Sequence, residues 1–246
     1  MDKTQNTEAD LTPIKINAVL SGKTKEYTFS NPYSSAIDKR PVEGLVLLTS
    51  EGINTDEQAD CKVHGGKDKA LHHYPFEHYE YWRKKLAPLS EDLSVLDMPG
   101  AFGENISTIG LTEENLCIGD EFSIGDDEVF VQISQSRQPC WKLNQRFNAP
   151  DMSAYVQETG KTGWYYRVLQ GGQFSNQSSM KLLNRPYPQW PLNRVNQVMF
   201  ATKMNRPLFE DFLKLPLPPS WQQTIEKRLS DNQIESMSKR LYGSNS

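Results

Sequence analysis

The sequence predicts a β-rich α+β protein: strands from Ile14 to about Leu183, then a small helical part from Asn193 onward. Three observations predict it. Short runs alternate apolar and polar residues between Gly, Asp and Asn turn signals. The stretch NRPYPQWPLN crowds three prolines into a span that disfavours continuous helix and reads as a linker. Beyond it the apolar spacing changes to that of helices.

Taken in order, residues 1–13 are polar and acidic, without the basic start and apolar stretch of a secretory signal, and read as a flexible tail. IKINAVL and KEYTF alternate around Ser21-Gly22 as the strands of a hairpin would. GLVLLT (Gly44 to Thr49) is a compact strand-like run, and the following GINTD has turn chemistry. In LHHYPFEHYEYWRKKL, aromatic residues near helical spacing, with Pro75 tolerable in a first turn, predict a helix to about Leu86. CIGDEFSIGDDEVFVQIS reads as strands, DMSAYVQET as a helix stopped by Gly160, and WYYRVLQ as a further strand before Gly171-Gly172. NRVNQVMFAT, RPLFEDFLKL and PSWQQTIEKRLSDNQIESMSKRL give three helices over 193–243, too few residues to bury much surface alone, so they are expected to dock on the strand domain spanning 14–185.

The composition narrows function. With 37% hydrophobic and 24% charged residues in 246, the chain can bury a core. A net charge of -4 and a pI near 5.7 argue against binding nucleic acid through its phosphates. No run approaches the roughly 20 apolar residues a membrane helix needs. Three widely spaced cysteines in a chain of this length fit a reducing, cytoplasmic setting without disulfides.

Two clusters carry chemistry. KVHGGKDKALHHYP holds three of the four histidines and three lysines around Gly65-Gly66, so backbone N–H groups, cations and a following helix N-terminus would favour an anion such as phosphate; a solvated charged turn is the alternative. SQSRQPCWK sets Cys140 near Arg137 and Lys142, where positive charge favours a thiolate able to act as nucleophile or soft-metal ligand; a small buried hydrophobe is the alternative. A third element, AFGEN, offers a carboxylate and an amide that would either orient a polar ligand or cap a helix or strand. Cys117 lies in an apolar run and reads as core, while Cys61 borders the basic loop. Without a CxxC or HxxxH pair, zinc is not expected.

These pieces in series, SAIDKRPV, DEQAD, KVHGGKDKALHHYPFEHYEYW, AFGENIST and SQSRQPCWKLN, resemble the MOSC domain of YiiM-like proteins, which carry a C-terminal three-helix domain. Coverage is nearly complete. One departure is visible: GINTD (Gly52 to Asp56) stands where the family usually has a glycine-rich LEGD-like turn.

The resemblance implies a β-barrel-like fold and a molybdenum cofactor, of the molybdopterin type, whose metal is held by Cys140. It implies that Lys62, His64, Gly65, Gly66, Lys69 and Arg137 serve the cofactor's phosphate, that Glu104 and Asn105 orient pterin or substrate, and that His72 transfers protons. It brings with it an association with pyridoxal phosphate binding. The implied activity is reduction of N-hydroxylated compounds, hydroxylaminopurine base analogues among them, to amines as a detoxification. Lacking a CxxCxxC run or a GxGxxG fingerprint, the chain would need a separate reductase, simplest as a flavoprotein. A homodimer is compatible with this reading. Two alternatives stay open: Cys140 as a covalent nucleophile with His64 or His72 as base, and a carrier handing on molybdenum cofactor or sulfur without turnover.

Overall fold

The computed structural model describes residues 12–28, 32–60, 65–126 and 129–243. The tail reading for 1–11, and the assignments to Cys61, Lys62 and His64, lie outside the described residues.

Seven strands close into a barrel: β1 (Ile14–Ser21), β2 (Leu71–Pro75), β3 (Ile106–Thr108), β4 (Glu121–Ile124), β5 (Val129–Ser136), β6 (Trp164–Gln170) and β7 (Ser179–Asn184). Their order is β7-β4-β5-β6-β2-β3-β1, and β1 returns to β7 with Ile14 opposite Met180, so neither end of the sheet is a free edge. Only β2 and β3 run parallel, with His73 opposite Ile106, which makes the barrel mixed. Inside pack Leu71, Phe122, Val131, Ile133, Trp164 and Tyr166, all buried.

The barrel's outer face carries a second core. Helices α1 (Glu77–Leu86), α2 (Lys142–Arg146) and α3 (Met152–Thr159) bury Trp82, Leu143, Phe147 and Val156 against Tyr74 and Phe102. Tyr74 and Phe102 stack at 3.9 Å, and the Tyr74 hydroxyl accepts from Trp82 Nε1 at 2.6 Å and donates to the Lys161 carbonyl at 2.9 Å. Successive strand residues point to opposite faces, so β2 sends Leu71 and His73 into the barrel and His72 and Tyr74 outward.

Three sequence expectations are corrected. Leu71–Pro75 is a strand, not the start of a helix; the helix begins at Glu77. All five strand residues are buried, and a run buried on both faces has no alternation to distinguish it from helix. Ser21-Gly22 forms no hairpin: Lys25–Tyr27 pairs with Tyr33–Ser35 instead, and β1 pairs with β3 and β7. The Gly22 amide is taken by Asp56 Oδ1 at 2.7 Å, a contact from another part of the chain. The last predicted helix is two, α6 (Pro219–Asp231) and α7 (Ser238–Tyr242), because Asn232 takes a left-handed conformation (φ 50) that ends α6.

Together with α4 (Leu192–Met199) and α5 (Arg206–Phe212), these helices share one hydrophobic core with the barrel: Val195, Phe209, Phe212, Trp221 and Ile225 join the cluster containing Phe122 and Val131. Arg228, 1% exposed, donates to the carbonyls of Val198 and Met199 at 2.9 Å and pairs with Glu235 at 2.6 Å, capping α4 from α6. Among the described residues no helix is long and apolar enough to cross a membrane.

A shared core predicts shared unfolding. Phe212, between Trp190 and Trp221, is fully buried. Phe212→Ala is expected to lower stability by about 3–5 kcal/mol, with fluorescence and circular dichroism reporting one coincident denaturant transition.

Candidate functional site

The site forms where barrel strand ends meet the outer core. His72 comes from β2, Tyr165 from β6, Asn105 precedes β3, Arg137 follows β5, and Cys140 lies on the turn into α2. The segment Ser35–Lys39 and residues 57–60 form the opposite wall of a pocket of about 620 Å³, part of it open to solvent. The pocket continues past Cys140 into a wider lobe lined by Tyr33, Trp141, Glu235, Met237 and Arg240.

Glycines set the close approaches. Gly163 (φ 70) lies so near β2 that a Cβ would sit 2.3 Å from the His73 carbonyl and 3.0 Å from His72 Nε2. Gly103 (φ 71) meets Ile37 in the same way at 2.9 Å, which brings the pocket walls together.

Cations dominate the lining: Lys39, Lys69, Arg137 and Lys142, against Glu57 and Asp60. Lys39 is neutralised by Asp56 at 2.5 Å, and Asp56 also accepts from Asn105 Nδ2 at 2.8 Å. Burial lowers the Lys39 and Lys69 amines, opposed by Asp56 for the first and chiefly by Asp68 for the second. Arg137 is 7% exposed and bonds Tyr165, but has no carboxylate partner among the described residues, and its Nη1 is buried without a partner. Nearby, Gln135 Oε1, Ser136 Oγ and His72 Nε2 are also buried and unpartnered. Leaving such groups unmade costs about 1–3 kcal/mol each, more for a charge, so this wall leaves both donor and acceptor capacity open to a polar ligand.

His72 is 3% exposed; burial, then the Arg137 charge, holds its imidazole well below the ordinary histidine range. It is therefore neutral, which leaves it able to accept a proton. His73 stands inside the barrel, with ring nitrogens bonded to Tyr166 Oη at 3.1 Å and Thr108 Oγ1 at 2.8 Å, and burial pushes its pKa to about 3.

The structure thus brings Cys140, His72, Lys69, Asn105 and Arg137 to one pocket. Glu104 does not join them. It is fully buried, and its carboxylate accepts from the amides of Gly100 (2.7 Å) and Phe102 (3.1 Å) and from the Tyr79 hydroxyl, shaping the turn that carries Asn105. Gly65 and Gly66 precede a three-residue 3-10 turn (Lys67–Lys69) that leads into strand β2, so no helix N-terminus follows them, and neither lines the pocket. Cys117 is core, its thiol pushed up to about 11 by burial and by Asp120. Sequence reasoning gave no site role to Lys39, Tyr165 or Asp56; their partners are far away in the chain, and local spacing carries no signal of them.

Comparison with known proteins places this geometry. Residues 60–180 match the family model described as the MOSC domain, and 190–231 that of the YiiM-like 3-alpha helix domain. The chain is 39% identical to Protein YiiM of Escherichia coli over 226 residues, covering 92% of this chain and 97% of that protein. It is 35% identical over 211 residues to a protein of Gibberella moniliformis called "Reductase", covering 86% of this chain but 36% of that longer one. The crystal structure of Escherichia coli YiiM superposes with a TM-score of 0.77 at 31% identity, over 94% of this chain and all of that one.

The two buried histidines give the fold a pH dependence. Both are neutral when folded, whereas the unfolded chain takes up protons near pH 6.5. Their contribution is complete above that value and is lost as pH falls below about 6.5, for His73 down to its folded pKa of about 3, with a slope of up to about 1.4 kcal/mol per pH unit for each. Denaturant midpoints followed down to mildly acid pH, before carboxylates titrate, are expected to show this slope, and His73→Asn to show about half of it.

Proposed function

This chain belongs to the MOSC-domain family in its YiiM-like form, and from that premise we propose that it binds a molybdenum cofactor and reduces N-hydroxylated compounds to amines. One observation carries the proposal: Cys140 opens onto a pocket whose buried Arg137 guanidinium has an unsatisfied N–H and, among the described residues, no carboxylate to neutralise it. A thiolate is a soft donor suited to molybdenum, and an anionic pterin phosphate supplies an acceptor for the unsatisfied Arg137 Nη1. The residues present therefore fit the group. The cofactor, when bound, supplies a two-electron redox centre.

The chain's own groups supply the rest. Arg137 and Lys69 hold the anionic end, and Asn105, fixed by Asp56 and by donation from the His72 amide to its Oδ1 at 3.1 Å, presents a rigid polar edge. The reaction cleaves the N–O bond of R–NH–OH, takes up two electrons and two protons, and releases R–NH2 and water. Lys69, whose amine burial makes more acidic than usual, is placed to pass protons from solvent. Neutral His72 serves as an acceptor within that path. Electrons come from a separate reductase, in the simplest case a flavoprotein, and the fungal relative's name supports reductive chemistry. Substrate enters by the wide lobe, where Tyr33 and Trp141 meet edge to face at 4.9 Å and offer aromatic surfaces to a planar base.

Molybdenum per chain, measured on protein gently purified from a cofactor-proficient host, is expected to be near stoichiometric and to be lost in Cys140→Ala. Arg137→Gln is expected to weaken cofactor retention by about tenfold or more, the loss of one charge-assisted hydrogen bond set. No metal in the wild type, from a host shown to load another molybdenum protein, would overturn the proposal and favour Cys140 as a nucleophile. Metal bound and released without turnover of N-hydroxylated bases would favour the carrier.

A further inference from the structure

Cys140 is flanked by Pro139 and Trp141, and one residue from far along the chain holds the backbone on both sides of it. The Arg240 guanidinium donates through Nη1 to the Pro139 carbonyl, and the Arg240 carbonyl accepts from the Trp141 amide at 2.8 Å. Its Nη2 donates to Gln157 Oε1 on α3 at 2.5 Å, so the side chain is anchored on a helix of the outer core as well. The segment that carries Arg240 is itself pinned. The next carbonyl, Leu241, accepts from Asn144 Nδ2 at 2.8 Å and Ser153 Oγ at 2.7 Å. Arg240 and Cys140 line the same lobe.

We infer that Arg240 is a positioning residue for Cys140: its two-sided hold on the flanking peptide groups fixes where the sulfur points, and its guanidinium brings positive charge to the thiolate. The first effect needs the guanidinium's shape, because a fork can bridge the Pro139 carbonyl and the Gln157 amide at once while a lysine ammonium on a flexible stem holds no such fixed pair; the second needs only its charge. Helix α7 and the residues before it therefore act as a wall of the site as well as part of the helical domain. The inference concerns the bare sulfur and stands apart from the cofactor reading.

The test uses the full chain from a host that makes no molybdenum cofactor, so failure of the cofactor proposal leaves it intact. Alkylation of Cys140 by neutral iodoacetamide and by anionic iodoacetate is timed for wild type, Arg240→Lys and Arg240→Gln, reading the Cys140 peptide by mass spectrometry. Loss of a nearby cation slows the anionic reagent more, so the iodoacetate to iodoacetamide rate ratio is expected to fall at least about threefold in Arg240→Gln and to hold in Arg240→Lys. Hydrogen exchange in the peptide around Cys140 is expected to rise in both variants, because neither side chain reproduces the fork. An unchanged ratio or unchanged exchange in a folded Arg240→Gln would overturn the inference, as would an equal fall of the ratio in Arg240→Lys. If Arg240→Gln does not fold, Gln157→Ala, which removes only the second anchor, must raise the exchange or the inference fails.

Discussion

Closure of the barrel is the constraint on which the rest depends. The pairing of β7 with β1 leaves the sheet no edge, so every strand has a neighbour on both sides and its register is fixed by two ladders. On β2, held between β6 and β3 with His72 opposite Tyr165 and His73 opposite Trp164, that register decides the fate of two adjacent histidines. One residue of slip would exchange them, setting His73's place in the barrel against the pocket and driving His72 into apolar packing. The same register presents Tyr74 to Phe102 and so seats the outer core that forms the pocket's floor.

Charge is distributed just as unevenly. The chain is net acidic, yet its pocket gathers four basic side chains. They differ in how far the protein satisfies them. Asp56 neutralises Lys39 and in the same contact fixes Asn105, so this part of the wall is finished by the protein itself. Arg137 is not finished: its charge is buried with an N–H unanswered. Fields focused by such a pocket on an otherwise acidic surface draw anionic ligands to one place and discourage them elsewhere.

How much of this was legible in the sequence follows from the range of each interaction. Strands β4, β5 and β6 and helix α3 are visible because their alternation, turn residues and the Gly160 stop are local. The barrel itself came from a resemblance, since no local rule says that Ile14 will meet Met180. Leu71–Pro75 resembles a helix in sequence because burial on both faces erases alternation, and aromatic spacing then imitates a helical stripe. Cys140, His72, Lys69, Asn105 and Arg137 were named as site residues on their chemistry and on the family pattern, and the pocket collects them. Glu104 shows the limit of that method: its carboxylate is used up by the amides and hydroxyl of its own turn, which residue type alone does not reveal. Asp56, Lys39 and Arg240 were beyond reach for the opposite reason, because each acts on partners that folding alone brings near.

The hold of Arg240 on Pro139 spans 101 residues of chain. During synthesis at about 5–20 residues per second, the Cys140 turn therefore exists for several seconds or more before the residue that clasps it has been made. A completed cysteine turn is thus a late event in the life of the molecule, made only once the last helix has arrived.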